Sequence, residues 1–380
     1  MSAIAMNPIG IERSPGLWAL AWKRLKSDHL AMVSLVIVVI FIAMMFASAA
    51  GLIARDWAKE TGVNYAPPTF VGAAAPGAAP GATSSPAAPA VEFKSEVVDP
   101  LGDVIAELKG EKKPGGDAAA AEADTGKSVD PLADVMADIK KDAKGRVVEV
   151  AAVRAATLPF GGDKWGRDVL QKTIKGLQTS VFVGLAAAML AALIGTVFGA
   201  QAGYFGGRTD AFFNWLYSVF TSIPYLLLIL AIAAVLNQKG VATVVLILGL
   251  TGWTGIFRLV RAEYMKHKVR EYVQAADAIG ASNLSRMYVH ILPNVSHVVL
   301  VQLSLHVVLF IKSEVILSFL GFGVGVDTVS WGSMIGEAQS ELLNGRWWQL
   351  AAATIAMAIL VTAFSLLTDA LRDALDPRLR

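Results

Sequence analysis

An all-α integral membrane protein is the fold class this sequence predicts, with six transmembrane helices and a large insert between the first and the second. Uncharged apolar runs carry that reading. Of the 380 residues, 55 % are hydrophobic and only 17 % are charged, against about 25 % charged in soluble proteins. Six runs reach or approach the roughly 20 residues that cross a bilayer as a helix. Every backbone N–H and C=O must find a partner inside lipid, and an open sheet leaves its edges bare, so the runs are helices. There are no cysteines, which excludes disulfides, thiolate metal sites and cysteine nucleophiles.

Residues 1–29 are a polar lead. Leu17, Leu20, Ala21, Trp22 and Leu25 are interleaved with Lys23, Arg24 and Lys26, the pattern of a short basic amphipathic helix at a membrane surface. The first span covers 30–54, with no charge between Asp28 and Arg55. Its long polar lead and long uncharged stretch differ from a secretory signal, whose apolar region is about 7–15 residues.

Residues 55–157 form the insert. Pro67 to Ala90 is an Ala/Pro/Gly/Ser tract with no means of building a core. A weak internal repeat follows, in which Val98–Lys109 returns as Val129–Lys140. Each copy puts Asp at an N-cap and Pro at the first helical position. Each then places apolar residues at i, i+3, i+4 and i+7, namely Leu101, Val104, Ile105, Leu108 and Leu132, Val135, Met136, Ile139. These are two short amphipathic helices, too few for a solenoid. A helix of about three turns is marginal in water without a partner. Loosely attached surface helices are therefore favoured over a docking module.

Residues 158–380 are the core. A polar approach at 158–176 precedes spans at about 179–203, 212–236, 241–257, 295–322 and 347–367. Charge in the short connections orients them. One set carries Lys23, Arg24, Lys26, Arg208, Arg258, Arg261, Lys266, Lys268, Arg270, Arg286, Arg372, Arg378 and Arg380, while the alternate set holds Lys239 and Arg346. The positive-inside rule places the first set, and both termini, in the cytoplasm. Residues 55–178 are then extracytoplasmic.

The loop at 262–294 is the most informative stretch. Glu271 to Ile279 is a good helix former, and Ala275, Ala276 and Ala278 let another backbone approach closely. Gly280 can end the helix with a positive φ, Asn283 can cap a second helix, and Pro293 marks the start of the next span. On physics alone this is a rigid, short, polar helix able to seat a partner, or an ordinary connecting loop with a basic face.

The spacing Gln274-Ala275-Ala276, then Gly280, then Leu292-Pro293-Asn294 resembles the Glu-Ala-Ala loop of ABC-importer permeases. Further matches are Gly166-Arg167-Asp168-Val169-Leu170, Gly203-Tyr204-Phe205-Gly206-Gly207, Leu317 to Gly323, Ser330-Trp331-Gly332 and Leu371 to Arg380. Together they resemble the C-type permease subunit of dipeptide, oligopeptide and nickel importers over about 17–55 and 158–380. The insert departs from that pattern. So does Gln274, which stands where the family usually has Glu; a carboxylate can pair with a basic group on the ATPase whereas an amide can only hydrogen-bond, and charge-assisted hydrogen bonds are roughly twice as strong as neutral ones. Glu271 or Asp277 is the alternative source of that charge.

The resemblance implies an inner-membrane, ABC-importer-type fold and a non-catalytic subunit. Its partners are a homologous second permease, two ATPase subunits that bind ATP and Mg, and an extracytoplasmic solute-binding protein. No cofactor, metal or nucleic acid is bound by this chain. The implied cargo is peptide. The residues it assigns to ATPase coupling are Glu271, Gln274, Ala275, Ala276, Asp277, Gly280, Ala281, Ser282, Arg286, Leu292 and Pro293.

Lys312 and Glu314 lie inside the fifth span, where each charge costs about 2.5–3.5 kcal/mol at a helix centre. Two residues apart, they point to different faces. They are candidates for the translocation path, against snorkelling at the outer interface; Glu314 matches a family position and Lys312 does not. Gly126-Lys127-Ser128 is not a phosphate loop, because Ala121 stands where the first Gly is needed. The histidines at 29, 267, 290, 297 and 306 are never at i, i+4, so membrane packing is favoured over a metal site. Trp331, Trp347 and Trp348 fit an interfacial aromatic belt.

Two other function classes compete. A stand-alone secondary transporter calls for charged relays and broken helices repeated in two halves, and no such symmetry is visible. A membrane scaffold acting through its insert leaves the 262–294 loop unexplained.

Overall fold

Helices begin where the sequence supplies a cap. In this computed structural model, which describes residues 17–72, 154–325 and 327–375, Asp28 separates α1 (Leu17–Ser27) from α2 (His29–Ala49). Its carboxylate accepts hydrogen bonds from the Leu30 and Ala31 amides at 2.9 and 3.3 Å, satisfying donors that the first turn leaves open. The first span stops at Ala49 rather than at 54, because Gly51 and Ala54 take φ of 71° and 52° and turn the chain out of the helix. The repeat helices expected at 98–109 and 129–140 lie outside the described residues, as do 1–16 and 376–380. Residues 1–73 and 154–380 form one unit of the chain and 74–153 another.

After α2 the chain builds a small irregular cap from 56–72 and 154–168. Backbone hydrogen bonds sew the two stretches together: Val63 N to Ala155 O at 3.0 Å, Thr69 N to Leu158 O at 2.9 Å and Gly162 N to Ala66 O at 2.7 Å. Arg154 is ion-paired with Glu60 across the seam. The chain leaves this cap after residue 72 and re-enters it at 154, through one neck.

α3 (Val169–Phe205) is the central helix. It starts well before the expected span at 179, since Asp168 caps it by accepting from the Leu170 amide at 2.8 Å. That also explains the motif: Gly166 has φ +76 and backs onto the Gly62 carbonyl, where a Cβ has no room. One face of α3 is nearly bare. Gly195, Gly199 and Gly203 bring its backbone against α7 (Thr254–Lys268). A Cβ on Gly203 would lie 2.6 Å from the Arg261 carbonyl and one on Gly199 would lie 2.9 Å from the Phe257 carbonyl. This i, i+4, i+8 glycine spacing is how membrane helices approach closely without help from water.

Two of the expected spans are bent pairs. α4 (Gly207–Thr221) and α5 (Tyr225–Leu236) meet at 84°, and α6 (Val241–Thr251) and α7 at 40°. Pro224 explains the first bend, because it disfavours the helical conformation at Ile223. Among the described residues, four helices are long and apolar enough to cross a membrane, or up to six if each bent pair is one span. A turn at Asn283–Ser285 and a π-helical stretch at Arg286–Ile291 lead into α9 (Leu292–Phe319).

α10 (Trp331–Leu343) and α11 (Trp348–Leu375) complete the fold. The Ser330-Trp331-Gly332 motif has a local cause. Ser330 accepts from the Ser333 amide at 3.1 Å and donates its own amide to Ser333 Oγ at 3.0 Å, a reciprocal cap. Trp331 is fully buried and donates Nε1–H to the Thr173 carbonyl at 3.1 Å.

The helix ends sort into the same two sets as the charges. Gly240 N donates to Gly323 O at 3.3 Å, joining the 237–240 turn to the 323–346 loop. At the other end, Tyr204 donates to Asn283 Oδ1 at 3.1 Å, and α1 packs on the last turns of α11.

Candidate functional site

The 262–294 loop is built as a braced platform. α8 (Glu271–Ala278) follows Arg270 directly after α7. Glu271 sits in its first turn, where a carboxylate favours the positive end of the helix dipole. The helix ends in a double backbone closure: Gly280 N donates to Asp277 O at 2.9 Å and Ala281 N to Ala276 O at 3.0 Å. Gly280 has φ +83, a conformation that costs a residue with a Cβ about 1 kcal/mol or more. The expected positive-φ stop is there.

The second cap differs from expectation. Ser282, not Asn283, caps the following turn by accepting from the Ser285 amide at 3.2 Å. Asn283 is already engaged, because its Oδ1 accepts from Tyr204 and, at 2.7 Å, from Arg286 Nη2. Arg286 also pairs with Asp277 Oδ1 at 2.5 Å, clamping the two arms of the loop. Tyr264 donates its hydroxyl to the Met287 carbonyl at 3.1 Å inside the π-helical stretch. The same carbonyl also accepts from the Leu292 amide across the wide turn, and Pro293, lying in the first turn of α9, has no N–H to demand a partner in the ladder. Leu292 begins α9 and is partly buried against the main core.

What the loop presents outward is one face of α8. Val273 and Ala276 are buried against the chain, while Glu271, Gln274, Ala275, Ala278 and Ile279 are exposed. Those five lie at i, i+3, i+4, i+7 and i+8, a single stripe. Ile279 is 83 % exposed and Leu284, five residues on, 64 %. Of the candidate carboxylates, Asp277 is held by Arg286, and Glu271 has no partner among the described residues. Gln274 turns its Nε2 back to the Val269 carbonyl at 3.3 Å. A carboxylate cannot donate that bond, so the amide has a local role of its own.

Lys312 and Glu314 point apart, as their spacing requires. Lys312 is exposed and has no partner among the described residues. Glu314 is 0 % exposed. Its two oxygens accept from Ser180 Oγ and Ser318 Oγ, each at 2.7 Å. Ser180 Oγ in turn accepts from the Trp331 amide at 3.1 Å, and Ser318 Oγ from the Val324 amide at 3.3 Å. Glu314 thus braces α3, α9 and the loop into α10 from inside the chain.

Sequence reasoning missed a buried polar cluster beneath the cap. Lys172, on α3, donates to Asp163 Oδ2 at 2.7 Å, Glu337 Oε2 at 2.6 Å and Gln349 Oε1 at 3.4 Å. These partners are far apart in the chain, and no local pattern connects them. The stripe of Gly195, Gly199 and Gly203 was missed as well, although its Gly-x3-Gly spacing is a signal that could have found it.

Residues 172–380 match the family model described as "Binding-protein-dependent transport system inner membrane component", and residues 16–68 match that of the "N-terminal TM domain of oligopeptide transport permease C". The dipeptide transport system permease protein DppC of Bacillus subtilis (strain 168) is 39 % identical over 221 residues, 58 % of this chain and 69 % of that protein. The oligopeptide transport system permease protein OppC of the same organism is 37 % identical, over 58 % of this chain and 72 % of that protein. A solved chain described as "Inward facing conformations of the MetNI methionine ABC transporter" aligns with a TM-score of 0.44 at 13 % identity, over 53 % of this chain and 96 % of that one.

Proposed function

The chain belongs to the family of inner-membrane components of binding-protein-dependent transport systems, and we propose that within such a system it docks an ATPase subunit through the exposed stripe of α8. It is a multi-pass permease subunit of a binding-protein-dependent importer. The single observation supporting the docking is that stripe: small side chains at Ala275 and Ala278, a free carboxylate at Glu271 and apolar Ile279, on a helix braced at both ends. A rigid platform transmits a push from a partner, whereas a frayed loop absorbs it.

On this reading a homologous second permease completes the translocation path, two ATPase subunits sit below and a solute-binding protein delivers cargo from outside. ATP and Mg belong to the ATPases. Both termini and the 262–294 loop face the cytoplasm, and residues 55–178 lie outside. Lys312 faces the path or the second permease, with Glu314 behind it as a brace. The relatives named above carry dipeptide and oligopeptide transport in their names, and peptides are the cargo we propose.

Affinity purification of the full chain from its host, solubilised gently, tests the docking. Wild type is expected to bring down an ATPase and a second permease. Ala275→Trp, an outward change in mid-helix, should reduce the recovered ATPase by about tenfold or more, a loss of at least 1.4 kcal/mol of binding, while retaining the second permease. Recovery of wild type without an ATPase, or full ATPase retention by Ala275→Trp, overturns the docking. Restored growth of a deletion strain on a dipeptide as sole source of a required amino acid is the corresponding test of cargo.

A further inference from the structure

We propose that Glu341 is a proton-binding site on the outer face, and that the proton it holds seats α10 on the rest of the fold. The proposal goes beyond the transport reading and stands on the chain's own geometry.

Glu341 is 1 % exposed, and among the described residues neither of its carboxylate oxygens has a hydrogen-bond partner. Each structural element around it has been committed elsewhere. From α3 it faces Lys172, whose ammonium has three hydrogens already directed to Asp163, Glu337 and Gln349. From the cap it faces Asp163 and the backbone amide of Lys164, which approaches without closing a hydrogen bond. One turn back on α10 it meets Glu337. Arg346 donates its backbone amide to the Glu341 carbonyl at 3.0 Å, but its guanidinium is stacked 3.6 Å from the centre of the Tyr65 ring. Asp163 itself is tied down, with its second oxygen accepting from the Trp165 and Arg167 amides.

One buried ammonium therefore stands against three carboxylates. A metal ion is not the answer, since among the described residues no group of three such side chains is arranged to hold one. A proton is. Neutral Glu341 removes the uncompensated charge, and burying an unpaired carboxylate is among the costliest things a fold can do. Burial is the largest cause pushing its carboxyl up from the ordinary 4.5, Lys172 pulls it back, and Asp163 and Glu337 push it up again, to about 7.

The sign follows from linkage. The seated carboxyl binds its proton more tightly than a solvated one does. The contribution to seating is complete below about 4.5, declines as pH rises and is gone above about 7. The outer helix should loosen as the medium becomes alkaline. The cluster joins the cap, α3, α10 and α11, so a change there reaches all four.

The test is hydrogen exchange of the full chain in lipid nanodiscs between pH 5 and pH 8, corrected for intrinsic chemical exchange. In wild type the opening of residues 331–343 should increase by about tenfold or more over that range. Glu341→Gln, which is permanently neutral, should show a flat profile at the low-pH level, and Glu337→Gln should retain a slope. An infrared pH titration supplies an independent reading: a protonated-carboxyl band that titrates near neutrality in wild type and vanishes in Glu341→Gln. Should Glu341→Gln fail to fold, Glu341→Leu takes its place in both measurements. A flat wild-type profile, an unchanged slope in the neutral variants, or a band that survives them and is lost in Glu337→Gln overturns the assignment.

Discussion

Replacing Lys172 with Met is expected to destabilise the protein by about 3–5 kcal/mol, the range for removing one partner of a buried ion pair. The Lys172 side chain is 2 % exposed and the Asp163 carboxylate that it meets is 0 % exposed. Without the ammonium, Asp163 has no charged donor on its Oδ2 among the described residues, and Glu337 and Glu341 lose the cation that faces them both. Adding Asp163→Asn to the variant should recover part of the loss, because the Oδ1 bonds to the Trp165 and Arg167 amides survive the change. Thermal midpoints of the detergent-purified single and double variants measure both effects. Equal midpoints for Lys172→Met and wild type would mean that the cluster contributes nothing to stability.

Gly203→Leu should prevent α3 and α7 from packing. The new Cβ would lie 2.6 Å from the Arg261 carbonyl and 2.7 Å from Tyr264 Cβ. The first neighbour is backbone and the second is the root of a fully buried side chain, so neither moves cheaply. Overpacking typically costs about 1–3 kcal/mol, and a clash with backbone falls at or above the top of that range. The expected result is loss of the monodisperse peak on size exclusion, with new proteolytic cuts near Arg261. Leu193→Ala, on an exposed face of the same helix, should leave the profile unchanged. A monodisperse Gly203→Leu would mean that the two helices tolerate separation.

What could be read from the sequence was whatever is governed by neighbours in the chain. The α8 helix, its stop at Gly280 and the opposed directions of Lys312 and Glu314 follow from helical spacing and from glycine's tolerance of positive φ. The choice of Ser282 over Asn283 as cap did not follow, because it depends on Tyr204, which is 79 residues away. Nor did the 84° bend at Pro224, since hydropathy scores a broken apolar segment like a straight one. The Lys172 cluster was hidden for the same reason as Tyr204: its partners Glu337 and Gln349 are 165 and 177 residues distant. Gln274 could be seen as a departure, but its bond to Val269 needed the turn to be built first.

The neck at 69–72 and 154–158 has a mechanical consequence. The Thr69–Leu158 and Val63–Ala155 hydrogen bonds join the two chain stretches where the long insert leaves and returns. A tug on residues 73–153 is therefore borne first by that seam, as shear between two stitched segments, and only afterwards by α2 and α3. A load that reaches residues 72 and 154 meets these hydrogen bonds before it meets the helices that follow.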